Sequence, residues 1–408
     1  MKLMIKLAWR NLWRNKRRSL ITISSVLFAV FFAVVMRSFQ IGTYDLMIKN
    51  VVGSYTGYAQ IQQPKYKNEP SLDHTIFPND SLYKAALSLK GVTDAVPRIE
   101  QFALFSKASI TRGGMFVGID PEREIPGLQL SNKLISGQLF SSLQSMEIIM
   151  SEGLAEVMKA EVGDSIILIS QGYRGQSAYG LYPVVGIVKM ASPQLNRSMA
   201  FLPLAEAQYL LGADGIATQL VLHMDDDRQI EETVARGNQI LDEERFKIYD
   251  WKELMPELVQ TIEADGAGGI IMIFILYMVI AFGLFGTVLM MTAERQREFG
   301  VLVALGMKRS RLAIMTGLES MLLTLLGCLA GLLAAAPIVT YFYFNPIELS
   351  GQMKETMLSY GMEPLMPASI QASIAIGNAG VVVMISLLCA IYPMIKILQI
   401  NAVKAMRS

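Results

Sequence analysis

Histidine and cysteine are scarce, with two of each in 408 residues. A metal centre built on imidazole or thiolate needs several ligands drawn close together. His74, in a loop, and His223, at the end of a strand, have no second such residue near them, so no metal site is expected. Both cysteines, Cys328 and Cys389, fall inside long apolar runs, so the rest of the chain has no disulfide framework and must hold itself by a packed core. No G-x-x-x-x-G-K-[S/T] loop offers backbone amides to a nucleotide. The nearest fragment, Gly306-Met307-Lys308-Arg309-Ser310, lacks the first glycine and its spacing. Ser151, at a strand-to-helix junction, is no nucleophile elbow without G-x-S-x-G, and Asp225-Asp226-Asp227 reads as a solvated turn and helix cap. The chain is therefore expected to be no enzyme and to bind no cofactor itself. Any ATP-driven work would fall to another polypeptide.

Charge is the other scarcity, at 17% of residues against 52% hydrophobic, and it is unevenly spread. Four stretches, 20–37, 270–292, 312–343 and 374–393, approach or exceed the roughly 17–25 apolar residues that a helix needs to cross hydrocarbon. The first could pass for a signal-peptide core, but Arg37, Ser38, Phe39 and Gln40 follow it with no small-residue cleavage pattern, so a retained anchor is expected. Residues 1–19 hold seven Lys or Arg and no acid, 293–311 five against two acids, and 394–408 three and none. With four spans these segments share one side, and the positive-inside rule makes that side cytoplasmic, both termini included. They carry 15 of the 36 basic residues and 2 of the 35 acidic ones. The net charge of +1 thus conceals an acidic remainder, mostly in 38–269, which leaves no footprint for nucleic acid.

The expected class is an α-helical membrane protein with four transmembrane helices and a large α+β extracytoplasmic domain inserted between the first and second. In 1–19, Ile5, Trp9, Leu12 and Trp13 recur at helical spacing among cations, which reads as an amphipathic helix in the inner interface or as a simple topogenic charge cluster. Strand signals fall at 57–63, 99–110, 115–119, 165–170, 181–189, 218–223 and 246–249, and helix signals at 81–89, 151–159, 204–211 and 227–243. Asn79 or Asp80 would cap the first of these helices, and Thr111-Arg112-Gly113-Gly114 reads as a hairpin turn. Apolar Trp251, Leu254, Leu258 and Ile262 predict a helix leading toward the second span, bent at Pro256 or at Gly266-Ala267-Gly268-Gly269. That glycine run is a hinge or a passive linker. A short external loop, 344–373, joins the third and fourth spans.

The loop 293–311 sits between two spans. Glu294, Arg295, Arg297 and Glu298 supply polar contacts, Val301, Leu302 and Leu305 an apolar patch at helical spacing, and Gly300 and Gly306 room for close approach or bends. It reads equally as a helix docking into a partner's cleft and as an ordinary interfacial loop. Within the spans, Gly283, Gly286, Gly317 and the Gly327/Gly331 pair allow close helix contacts. Glu319, the one acid in the third apolar run, is expected to snorkel or to pair with Arg309 or Arg311.

This layout resembles the FtsX-like, MacB-like permeases of ATP-binding-cassette systems, over nearly the whole chain. The most specific stretch is Arg297-Glu298-Phe299-Gly300-Val301-Leu302-Val303-Ala304-Leu305-Gly306, similar to the family's acid, glycine, apolar pair, alanine, apolar, glycine pattern after the second span. The segment 8–18, Tyr392-Pro393 and 401–407 are similar to the family's basic start and its ending. Met150-Ser151-Glu152-Gly153-Leu154-Ala155, Val162-Gly163-Asp164, Val184-Val185-Gly186-Ile187 and Phe201-Leu202-Pro203-Leu204 look like its periplasmic core domain, a divided module with a second module inserted, here about 131–212.

The resemblance implies a bacterial inner-membrane permease without catalytic residues, working as a mechanotransmitter with a second permease copy or paralogue. Two copies of a separate ATPase would hold ATP and Mg2+ and grip Glu294, Arg297, Glu298, Gly300, Leu302, Ala304, Leu305 and Gly306 as the coupling helix. Gly57-Tyr58-Ala59-Gln60-Ile61-Gln62 looks like a strand of lipoprotein-releasing permeases, which implies a lipoprotein substrate passed to a periplasmic carrier. Efflux of drugs, peptides or toxins, and signalling to a cell-wall hydrolase without transport, are the alternatives. If acyl chains enter between subunits, Phe28, Phe31, Phe32 and Val35 on the first span, with Ile271, Ile275 and Met278 on the second, would line the way. The same residues could instead face membrane lipid or pack in the core.

Overall fold

The computed structural model describes residues 2–14, 16–190, 192–224, 229–359 and 363–399; the triple-aspartate turn and the family-like ending at 401–407 lie outside them. The described chain divides into two compact units. One is made of 1–45, 262–348 and 365–408, the other of 46–261 and 349–364.

The first unit is helical. Among the described residues, four helices are long and apolar enough to cross a membrane. The first belongs to the 36-residue helix Lys16–Val51, where hydropathy predicts a span ending at 37. Hydropathy marks where apolar side chains stop, whereas a helix stops only where its backbone pattern is broken. That happens at Gly57, whose φ of 73° ends the π-helical turn Val52–Thr56. The second, third and fourth spans lie in Pro256–Glu294, Arg309–Phe344 and Ala372–Leu398. Gly266, Gly268 and Gly269 stay inside the second-span helix and do not interrupt it. The break falls at Met255 (φ −126°, ψ 62°), because the residue before a proline is forced out of the helical region.

Lipid removes most of the hydrophobic drive between spans, so close fit and polar pairs hold them. Gly327 and Gly331 provide the fit. A Cβ on Gly327 would stand 2.5 Å from the Val26 Cβ, and one on Gly331 would stand 2.8 Å from the Leu27 carbonyl oxygen of the first span. Gly283 and Gly286 meet nothing within 4 Å, so these two expected contact glycines make no close approach within this chain. Buried hydroxyls of Thr324 and Ser386 join the third and fourth spans at 2.6 Å, and the Tyr277 hydroxyl donates to Asn378 Oδ1 at 2.6 Å to join the second and fourth.

The second unit is a ten-stranded mixed sheet with helices against it. In chain order the strands are β1 (Ala59–Gln62), β2 (Val92–Lys107), β3 (Ile110–Ile119), β4 (Leu134–Gly137), β5 (Ile148–Ser151), β6 (Ser165–Gln171), β7 (Ser177–Val188), β8 (Met199–Pro203), β9 (Gln219–Met224) and β10 (Lys247–Asp250). The 16-residue β2 is the common member. Its start pairs with β9, and its end pairs with β3 and β6. Three cores follow. Ile61, Ala95, Leu220 and Ile248 on β1, β2, β9 and β10, with Leu82 of the helix Asp80–Leu87, form one; Phe105, Phe116, Met150, Leu168, Tyr182 and Leu202 anchor the largest, on β2, β3 and β5–β8; and Val117, Ile149, Val188 and Phe201 form a third, on β3, β5, β7 and β8. The chain leaves the first of these after the start of β2 and returns to it at β9. Asn79 caps the helix Asp80–Leu87 by accepting from the Leu82 amide.

The hairpin turn is not at Thr111-Arg112-Gly113-Gly114. Lys107 pairs with Ile110, so Ala108 and Ser109 make the turn, and Ala108 takes the positive φ of 51°. The two glycines lie in β3 for lateral room. A Cβ on Gly113 would meet the Phe102 ring at 2.7 Å, and one on Gly114 the Ser198 carbonyl oxygen at 2.4 Å.

Candidate coupling site and lateral groove

Between the second and third spans the chain forms the short helix Gln296–Ala304. Arg295 leaves helical geometry (φ −93°, ψ 6°) to start it, and Gly306, at φ 95°, reverses the chain before Lys308 opens the third-span helix. Phe299 is fully buried against Leu312, Ala313, Met315 and Ile397 and sets which side of the helix faces in. Arg297, Val301, Ala304 and Leu305 therefore form the exposed side, with Leu305 80% exposed. Glu294 and Gly306 are exposed next to it.

Two of the expected coupling residues point the other way. Gly300 is buried and Leu302 packs with the Phe299 cluster, because the helical phase fixed by Phe299 carries both inward. Glu298 is exposed but engaged: Arg14 Nη2 lies 2.5 Å and Arg295 Nε 3.3 Å from its Oε2. Partial burial pushes the Glu298 carboxyl up, but hydrogen bonds from Arg14 and Arg295 outweigh it and hold the group below the usual carboxylate range.

Glu319 neither snorkels nor pairs with Arg309 or Arg311. Its side chain is 3% exposed, and it accepts from Arg295 Nη1 at 2.5 Å and Asn11 Nδ2 at 2.6 Å. A buried carboxylate is costly unless paired and hydrogen-bonded, and Arg295 and Asn11 satisfy one oxygen each. The Arg295 guanidinium also stacks on Phe299 with 5.1 Å to the ring centroid. Arg295 thus joins the short helix, the third span and, through Asn11 and Arg14, the N-terminal helix Lys2–Arg14. The sequence marks Arg295 as one of four residues supplying polar contacts but does not pair it with Glu319. Its signal was position, at the one turn where a cation can reach an acid two turns into the next span.

A groove of about 480 Å³ lies among the first, second and fourth spans. Ile41, Ile270, Phe274 and Tyr277 give it apolar walls, and Arg37 and Asn378 its polar groups. None of the seven residues proposed to admit acyl chains lines it. Phe28 and Phe32 are exposed and stack on each other with centroids 6.3 Å apart, whereas Phe31 and Val35 turn toward the core of the helix bundle. Ile271, Ile275 and Met278 are exposed, but each is one position away from a residue in the groove wall. One residue on a helix is a rotation of about 100°, so these three side chains face away from this groove.

Comparison with known proteins places these features. Residues 19–240 match the family model described as MacB-like periplasmic core domain, and 270–402 match that described as FtsX-like permease C-terminal. The lipoprotein-releasing system transmembrane protein LolC of Neisseria meningitidis serogroup B (strain ATCC BAA-335 / MC58) is 25% identical over 243 residues, 58% of each chain. LolC of Xylella fastidiosa (strain 9a5c) is 26% identical over 255 residues, 59% of each chain. The matches thus span a little under three fifths of those relatives. Among solved structures, the periplasmic region of MacB from Actinobacillus actinomycetemcomitans aligns with 53% of this chain and 95% of its own (12% identity, TM-score 0.35). The extracellular domain of the noncanonic ABC-type transporter YknZ from Gram-positive bacteria aligns with 48% of this chain and all of its own (13% identity, TM-score 0.33).

Proposed function

The chain belongs to the FtsX-like, MacB-like family of ABC transporter permeases, and on that premise we propose that it is the non-catalytic membrane subunit of an inner-membrane transporter, driven by a separate ATPase that holds ATP and Mg2+. The observation that carries the reading is the short helix Gln296–Ala304, exposed along Arg297, Val301, Ala304 and Leu305 and braced behind by Phe299 and the Arg295–Glu319 pair. A helix braced in this way passes a push on its outer side into the third span, because the buried pair and the Phe299 cluster leave it little room to yield. Two ATPase copies would engage two such helices, one from this chain and one from a second permease copy or paralogue. The second span, with 11% of its most apolar stretch buried, keeps a broad side for that neighbour or for lipid.

The substrate reading is release of lipoproteins from the inner membrane toward a periplasmic carrier. It is supported by the relatives named for lipoprotein release and by a groove that offers apolar walls to acyl chains and a cation, Arg37, to a polar head. A photo-crosslinker at Phe274 tests it in cells. Capture of triacylated protein that disappears on ATP turnover supports release. Capture of phospholipid alone, unchanged by ATP, overturns it and leaves efflux or signalling.

A further inference from the structure

The strand-rich unit contains a second cavity, of about 630 Å³, that plays no part in the reading above. Its lining, all from that unit, includes Lys49, Lys133, Lys189 and His223 against a single acid, Glu363. Arg98 also reaches it with its guanidinium committed to Glu124 and to the Tyr55 carbonyl, and Lys189 is shared with Glu152 outside the lining, so Lys49, Lys133 and Lys189 still outnumber the acids Glu152 and Glu363. Leu134, Ile135 and Met190 add apolar surface.

The two central lysines are held at neighbouring positions. The Lys189 amide donates to the Lys133 carbonyl at 2.9 Å. Lys133 Nζ donates to the Leu128 carbonyl at 2.7 Å, and Lys189 Nζ lies 3.3 Å from Glu152 Oε2. Burial pushes the Lys133 ammonium down to about 8, a desolvation cost that a bound anion would offset. His223 reaches the wall because Gly127 leaves it room, since a Cβ there would stand 2.8 Å from its Cε1. Ammonium groups bind phosphate oxygens as compact point charges, each with three rotatable donors.

We infer that this cavity binds a phosphate group between Lys133 and Lys189, either free or as the head of a lipid whose apolar part lies on Ile135 and Met190. The test uses the full chain in detergent, with calorimetric titration of soluble short-chain phosphatidylglycerol and, separately, inorganic phosphate. Lys133→Ala and Lys189→Gln should each weaken binding about tenfold, the scale of one charge-assisted hydrogen bond. Lys133→Arg should retain most of it, and Lys84→Ala, at an exposed position outside the cavity, all of it. Lys189 is half-exposed, so its substitution keeps the fold even if Lys133→Ala does not. Binding of the lipid alone assigns the site to a headgroup, and equal binding of phosphate assigns it to a free anion. Failure of both probes to bind, or binding indifferent to both lysines, overturns the inference.

Discussion

The two units bury polar groups in opposite ways. The membrane unit does so sparingly, in small sets at separate levels: Glu319 with Arg295 and Asn11, Tyr277 with Asn378, Thr324 with Ser386. The strand-rich unit gathers several of its buried polar groups into one continuous network, with the Tyr182–Glu206 pair apart from it. Arg98 and Glu124, 1% and 0% exposed, pair at 2.5 Å. Arg98 also donates to the Tyr55 carbonyl, and the Tyr55 hydroxyl and Gln219 both donate to Glu100 Oε1, each at 2.5 Å. The sheet can afford this because three apolar cores flank it. The spans have no such reserve, since lipid is as apolar as their own side chains. Damage should therefore come from unpaired charge in one unit and from lost fit in the other.

Breaking the network should have the largest effect. Arg98→Met leaves Glu124 buried without its main partner, an expected loss of about 3–5 kcal/mol. The double variant Arg98→Met/Glu124→Leu should recover most of it in denaturant unfolding of the full chain, and a double variant no better than the single one would refute the pairing argument. Next comes fit. Gly327→Leu drives a side chain into Val26 and should cost about 1–3 kcal/mol, whereas Gly283→Leu, with nothing within 4 Å, should leave the thermal midpoint in detergent unchanged. Equal losses in the two would show that glycine packing is not what joins the first and third spans.

Smaller still is the surface pair. Arg14→Ala removes a half-exposed ion pair with Glu298 and should cost less than about 1 kcal/mol. The smallest thermal effect is expected for Leu305→Asp, within about 0.5 kcal/mol at an exposed position. Yet it should lower substrate-stimulated ATP turnover in the reconstituted transporter about tenfold, if an apolar anchor is lost from the docking side. Gly300→Trp is the informative contrast. It should fail by destabilising the Phe299 cluster and not by blocking contact, so its thermal midpoint should fall together with its activity.

Spans and strands were legible in the chain because each depends on a local pattern. The apolar runs mark the four long helices, and the alternation in Ser165–Gln171, with Ile166 and Leu168 buried and Ile167 and Ile169 exposed, marks a strand with one wet face. What escaped was rotation and long-range pairing. Hydropathy gives the depth of Ile271, Ile275 and Met278 but not which way they face. Val301, Leu302 and Leu305 look equivalent by type until Phe299 fixes the phase. Glu319 was matched to bases near it in the same helix, whereas its partners, Arg295 and Asn11, lie on other elements and become neighbours only in the fold. The glycines of β3 suggested a turn by their freedom, but they serve Phe102 and Ser198 by their size.

The arrangement around Glu319 also bears on how the chain is made. A charged residue inside a membrane helix raises the cost of inserting it, by about 2.5–3.5 kcal/mol at the helix centre and by less toward the end, where Glu319 lies. Asn11 and Arg295 both precede Glu319 in the sequence, so each leaves the ribosome before the acid does. The counter-charge of Glu319, Arg295, is therefore made ahead of the span that needs it, so an insertion that follows the order of the sequence requires no later segment to neutralise that acid.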